Sequence, residues 1–273
     1  MKSIVKKIIP QNSFVYKLIR NAYRYKFWFP KDWKNDMLQD YANYNPNARF
    51  IQIGSNNGVS ADPINKLILD NNWHGILIEP IQYLYEELKK NYNSIKNRLV
   101  FENCAIANSS GNQKFYRLQK SNLPDLPYWY DQIGSFNKEV VLKHADLVPH
   151  FDDLLIEENV KAITFGDLIN KHSIKNIDLI QIDTEGYDFE ILKMIPFSEL
   201  KVDFIMFENQ HLASSDFKKA IKMLKKQGYK IGSQYKDTIA VKREILPLIK
   251  EANKKEYQKA FYNTREMNVK LAH

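Results

Sequence analysis

Two stretches in the second half of the chain carry side chains able to move a proton. The run "IDLIQID" ends in Asp183, with Glu185 two residues on, and "VDFIMFENQH" ends in Glu208, Asn209 and His211. Both begin as apolar, β-rich segments, so the polar residues fall at strand ends. Carboxylates and an imidazole at one cleft can do either of two things. They can hold a divalent cation, with Asp183, Glu208 and His211 as the ligand set, and the cation lowers the pKa of a bound hydroxyl. They can also act without metal, with His211 as general base and an acid orienting it. A third reading needs no chemistry: Asp183 and Glu185 cap a helix that begins near Tyr187, and His211 is a loop residue.

A second candidate lies near the start of the patterned region. "FIQIGSNNGVS", residues 50 to 60, runs a strand into Gly54-Ser55-Asn56-Asn57-Gly58 and then toward a helix. Glycine there lets the backbone pass close to a ligand. The spacing is G-x-x-x-G and not the G-x-G-x-x-G of a dinucleotide fingerprint, so no pyrophosphate seat is evident. A plain tight turn is the alternative. The strand "GILIEP" ends in Glu79, 21 residues after Gly58, where an acid grips ribose hydroxyls in doubly wound folds. A solvated carboxylate would be the plain explanation, but this one closes an almost wholly apolar strand. Turn and acid together describe a nucleoside pocket.

These groups require a scaffold that brings strand ends to one edge. From residue 49 onward, β-rich runs alternate with helical patterns, the signature of a mostly parallel sheet with helices on both faces. The strands are "RFIQIG", "GILIEP", "LVFENCAI", "IDLIQID", "VDFIMFEN", "YKIGSQY" and "TIAVKR". The helices between them are "ADPINKLILDNN", "LYEELKKNYNSI", "ITFGDLINKHS", "YDFEILKMI" and "DFKKAIKMLKKQG". The last two strands are so close that they form a hairpin, and the final strand runs antiparallel. A nicotinamide-binding fold is not expected to end that way. In the expected order, the strands ending at Asp183 and Glu208 are neighbours. Residues 119–160, with three prolines and Tyr128-Trp129-Tyr130, break the pattern and read as a substrate-facing lid; core packing competes for those aromatics.

The formal charge of +8 sits at one end: residues 1–31 hold eight basic and no acidic residues, which leaves the other 242 neutral. A neutral body argues against a long polyanionic substrate. Residues 1–45 read as a basic, aromatic helical extension, and 243–273 as a C-terminal helical one. Lys6, Lys7 and Pro10 interrupt any signal-peptide core, so the leader reads as an amphipathic helix docked on its own body or on a sister subunit, with a peripheral membrane contact as the alternative. The single Cys104 forms no internal disulfide and no apolar run reaches membrane-spanning length, so a cytoplasmic location is the default expectation.

Between about residues 49 and 242 the chain resembles the FkbM family of S-adenosylmethionine-dependent O-methyltransferases. The likeness rests on "IGSNNG", "IEPIQYLYEELKKNY", "ENCAIANSSGNQKFY" and, most specifically, "IDTEGYDFEIL". It implies a Rossmann-like class I methyltransferase fold over residues 46–242, with seven strands, the last antiparallel. It also implies that Gly54, Ser55, Asn56 and Gly58 line the methionine end of S-adenosylmethionine, with Asp183 beside them. Glu79 would hold the ribose, and Cys104 and Ala105 would wall the adenine. One departure stands out: members usually carry Asp two residues before the first glycine, where this chain has Gln52. Metal-binding small-molecule O-methyltransferases place acidic ligands at the same two strand ends, by analogy of architecture. The implied acceptor is a hydroxyl of a sugar, free, nucleotide-activated or within a glycoconjugate, or of a polyketide-like product. The competing classes are a nucleic-acid methyltransferase using the basic leader, and a cofactor-binding module without turnover.

Overall fold

The computed structural model describes residues 32–249, which form two compact units: residues 32–113 with 160–249, and residues 114–159. In chain order the elements are α1 (Trp33–Tyr44), β1 (Arg49–Ile53), α2 (Asn65–Asp70), β2 (His74–Ile78), α3 (Gln82–Asn91), β3 (Leu99–Glu102), β4 (Ala105–Ile106) and β5 (Gly111–Leu118). There follow β6 (Gly134–Ser135), α4 (Lys138–Leu142), α5 (Phe151–Leu154), β7 (Leu155–Ile163) and α6 (Phe165–His172). The chain ends with β8 (Leu179–Ile182), α7 (Asp188–Met194), β9 (Phe204–Glu208), α8 (Ser214–Lys226), β10 (Tyr229–Gln234) and β11 (Asp237–Lys242).

In the larger unit seven strands pair in the order β10-β11-β9-β8-β1-β2-β3. The neighbours from β9 to β3 are parallel, and β11 runs antiparallel to both β9 and β10, as the short final hairpin demands. Parallel strands covered on both faces read as nearly unbroken apolar runs, and alternate residues supply opposite cores. Phe50, Leu77, Leu179, Phe204, Met206 and Ile239 pack on α1, α2 and α3. Ile51, Ile53, Ile78, Ile180, Ile182 and Phe207 face α6, α7 and α8. Both layers bury their apolar side chains nearly completely, so the C-terminal strand ends are held rigidly.

Several boundaries differ from the sequence reading. The helix of residues 33–44 is not part of an extension: Trp33, Met37, Leu38, Tyr41 and Ala42 are buried in the sheet's first core, and the Tyr41 hydroxyl donates to the Asp178 carbonyl at 3.1 Å. At the other end Ile245, Leu246 and Ile249 join the same core, so the body runs past residue 242. The segment "LVFENCAI" is two strands and not one. The Asn103 side chain donates to the carbonyls of Glu79 and Pro80, the chain turns away, and β4 pairs with β7. The helix expected from residue 61 starts at Asn65, because the Asp62 carboxylate accepts the N–H groups of Ile64 and Asn65 and holds the preceding turn open.

The smaller unit replaces the irregular lid with an ordered fold. Leu118, Leu126, Tyr130, Ile133, Val141, Val148, Phe151 and Leu154 form its core, β5 pairs antiparallel with β6, and Arg117 grips the Glu158 carboxylate through two nitrogens. Of the aromatic triplet, Tyr130 is buried and hydrogen-bonded to Ser121, Trp129 is half-buried with its ring against His144, and Tyr128 is exposed. Core packing thus accounts for Tyr130 and in part for Trp129, and not for Tyr128. The basic leader and the tail beyond residue 249 lie outside the described residues. Among the described residues no helix is long and apolar enough to cross a membrane.

Candidate active site

The turn after β1 spends its backbone donors internally. Gly54 and Ser55 N–H both donate to the Ile78 carbonyl at 3.0 Å, Gly58 N–H to the Ser55 carbonyl at 2.9 Å, and Asn57 N–H to its neighbour's Oδ1. Asn56 N–H donates to Glu79 Oε2 at 2.8 Å. The Ser55 hydroxyl is buried, donating to the Gln52 carbonyl and accepting from Ile78 N–H, both at 3.1 Å. A phosphate cradle needs free N–H groups, and none remains across residues 54–58. Among its carbonyls, those of Ser55, Asn57 and Gly58 also accept bonds, from Gly58 N–H, Asn91 Nδ2 and Asn65 Nδ2.

The two glycines answer to packing. Gly54 has φ +78°, and a Cβ there would stand 1.8 Å from the carbonyl oxygen of Asp183. Gly58 has φ +71°, and its Cβ would strike the Tyr92 ring at 2.4 Å. At both positions the protein's own atoms stand close enough to exclude a Cβ.

Glu79, just beyond β2, is 4% exposed. Each of its oxygens takes one backbone donor, Asn56 N–H on Oε2 and Ile81 N–H on Oε1. Cys104 packs into the sheet's second core and Ala105 is buried beside it. Burial, with Glu102 nearby, pushes the Cys104 thiol up to about 12, so it stays protonated as an apolar wall.

Gln52 is buried where the family usually has an acid, and its Nε2 donates to Asp62 Oδ2 at 3.0 Å. Gln52 thus meets an acid ten residues on, a relation that strand periodicity could not reveal. Burial pushes the Asp62 carboxyl up to about 6, against hydrogen bonds from Gln52, Ile64 and Asn65 that lower it.

One strand beyond β1, the tips of β8 and β9 assemble a charged cluster. Glu208, the last residue of β9, is 2% exposed, and its Oε1 lies 3.1 Å from Lys236 Nζ in the β10–β11 hairpin. His211 Nε2 lies 3.0 Å from Glu185 Oε2 and 4.0 Å from Glu208 Oε2. One ligand atom from each of Glu185, Glu208 and His211 falls within 4.8 Å of the others. Asp183, expected as the third member, is not in this group. Glu185 takes its place because its backbone, at φ +49° ahead of Gly186 at φ +96°, turns its side chain to the cluster. The capping alternative fails, since Tyr187 is the N-cap residue and no side chain caps the helix. Asp188 instead turns inward, accepting from Glu208 N–H at 3.2 Å and from Thr184 Oγ1 at 3.1 Å. Burial, then Glu208, raises the carboxyls of Asp183 and Asp188, the second to about 7; burial, then Glu185, raises Glu208. Burial works against the charge of Lys236, but Asp183 and Glu208 outweigh it and raise its ammonium. Asn209 is structural, bonding the Thr238 hydroxyl at 2.7 Å. Lys236 had no sequence signal, because a lysine in a tight hairpin reads as a solvated turn residue.

The order of strands places Glu79, the turn 54–58 and this cluster on consecutive tips, β2, β1, β8 and β9, of one sheet edge. Across residues 52–231 the sequence matches the family model described as the methyltransferase FkbM domain. The chain belongs to the FkbM methyltransferase family. Its Rossmann-like sheet with the reversed seventh strand is the class I methyltransferase fold. Among solved structures, the FkbM methyltransferase from Methylobacillus flagellatus is similar at 12% identity and a TM-score of 0.44, over 72% of this chain and 44% of that one. This family member thus spans less than half the length of that relative. A putative caffeoyl-CoA O-methyltransferase from Staphylococcus aureus is similar at 12% identity and a TM-score of 0.41, over 88% of this chain and 98% of the other. No curated protein matches the sequence.

Proposed function

We propose that this FkbM methyltransferase transfers a methyl group from S-adenosylmethionine to a hydroxyl of a sugar, free, nucleotide-activated or within a glycoconjugate. The observation that carries the reading is the turn at residues 54–58. With every N–H there committed, it repels a pyrophosphate and suits the cationic methionine end, while Glu79 beside it accepts ribose hydroxyls. When bound, the cofactor supplies an electrophilic methyl on sulfur. The chain's own task is to orient the acceptor and take its proton, and the carboxylates of Glu185 and Glu208, two and three strands from Glu79, are the candidates for that. The neutral charge of residues 32–273 supports a small acceptor over nucleic acid. The leader's eight positive charges support contact with an anionic membrane surface.

Calorimetry with S-adenosylhomocysteine and with NAD tests the cofactor. The expected result is binding of the former alone, weakened by about 1.5–3 kcal/mol in Glu79→Ala, the worth of hydrogen bonds to a charged group. Because Glu79 also anchors Asn56 and Ile81, thermal melting is measured alongside. Binding of NAD with none of S-adenosylhomocysteine refutes the reading. Mass spectrometry of sugar nucleotides incubated with labelled S-adenosylmethionine tests the acceptor.

A further inference from the structure

Glu208 combines two features that an ordinary core carboxylate avoids. It is almost fully buried, and while Oε1 meets Lys236, its Oε2 has no hydrogen-bond partner. A buried acceptor left unsatisfied is costly, the more so when charged. The unsatisfied oxygen lies on the side of His211 and Glu185. Lys236 and His211 are the basic groups facing the carboxyls of Asp183, Glu185, Asp188 and Glu208, so acidic groups outnumber basic ones there.

We propose that Glu185, Glu208 and His211 form a site for one divalent first-row transition-metal ion, with Asp183 outside the coordination sphere. Ligand bonds of about 2.0–2.2 Å set donor atoms roughly 3–4 Å apart, so the observed spread closes onto an ion with a side-chain shift under about 1 Å. Two carboxylates with an imidazole suit Mn²⁺ or Zn²⁺ better than Mg²⁺ or Ca²⁺, which prefer all-oxygen shells. The ion would satisfy Glu208 Oε2. Three ligands from two adjacent turns leave coordination positions open for an acceptor oxygen. That last role rests on the methyltransfer reading; the binding itself does not.

The test uses the full chain, dialysed against chelator and titrated calorimetrically with Mn²⁺ and with Zn²⁺. One ion per chain is expected. Glu185→Gln and His211→Ala each weaken binding tenfold or more, whereas Asp183→Asn stays within about threefold of the parent, with thermal melting to confirm that each variant folds. Should His211→Ala not fold, the partly exposed Glu185 carries the comparison. Absence of stoichiometric binding of either ion overturns the site. So do parent-like affinities in Glu185→Gln, or a loss in Asp183→Asn as large as in the others. Metal binding without S-adenosylhomocysteine binding would sink the methyltransfer reading alone, and the converse would sink the metal site alone.

Discussion

Replacing Gly54 by alanine separates a glycine needed by the fold from one needed by a ligand. Two costs add. The residue sits at φ +78°, a left-handed conformation that costs an L-residue roughly 1–2 kcal/mol. Its new methyl would also stand 1.8 Å from the Asp183 carbonyl oxygen, a backbone atom pinned where Asp183 N–H donates to Ile53 at 2.9 Å. Overpacking of this kind costs about 1–3 kcal/mol, and a backbone obstacle puts it at the upper end. The sum, roughly 3–5 kcal/mol, is a large share of the 5–15 kcal/mol that typically holds a domain together. Gly228 is the control: it too is left-handed, at φ +87°, but its added Cβ meets nothing within 4 Å. Gly228→Ala should therefore cost only about 1–2 kcal/mol. At roughly 2–4 °C per kcal/mol for a unit of this size, melting should fall by about 6–20 °C in Gly54→Ala and by no more than about 8 °C in Gly228→Ala. Scanning calorimetry without ligand measures both. Equal melting temperatures for the two variants, with only ligand affinity reduced in Gly54→Ala, would refute the packing argument.

Asp62 should give stability a pH slope of definite sign. Its carboxyl releases its proton near 3.8 when unfolded and at about 6 when folded, so between these values the folded chain holds the extra proton. Stability then falls as pH rises from about 4 to about 6, by a total of about 3 kcal/mol at ~1.4 kcal/mol per pH unit. Asp62→Asn should flatten that part of a denaturant-derived profile, and parallel profiles for parent and variant would contradict it. Truncation tests where the body begins. A chain starting at Asp32 should melt cooperatively, whereas one starting at Pro46 loses α1 and should not, since Met37 and Leu38 alone bury roughly 3–6 kcal/mol of apolar side chain. A cooperative melt of the shorter chain near the parent temperature would show that α1 is dispensable.

Much of this protein was decided by local pattern. Apolar runs ending in Glu79, Asp183 and Glu208 are strands because a sheet covered on both faces requires continuous burial, and the short link from Gln234 to Asp237 permits only a hairpin. Which polar residues lie at strand ends followed directly, and so did the class of fold. What the sequence could not determine were relations between residues distant along the chain. Glu185 displaces Asp183 from the cluster through a single left-handed backbone angle, and Lys236 reaches Glu208 because β11 inserts beside β9. Gln52 bonds to Asp62 ten residues on, and at Gly54 a carbonyl 129 residues away leaves no room for a Cβ. Local sequence specifies each segment's own conformation and burial, but a polar side chain's partner is chosen by the register and order in which the segments pack.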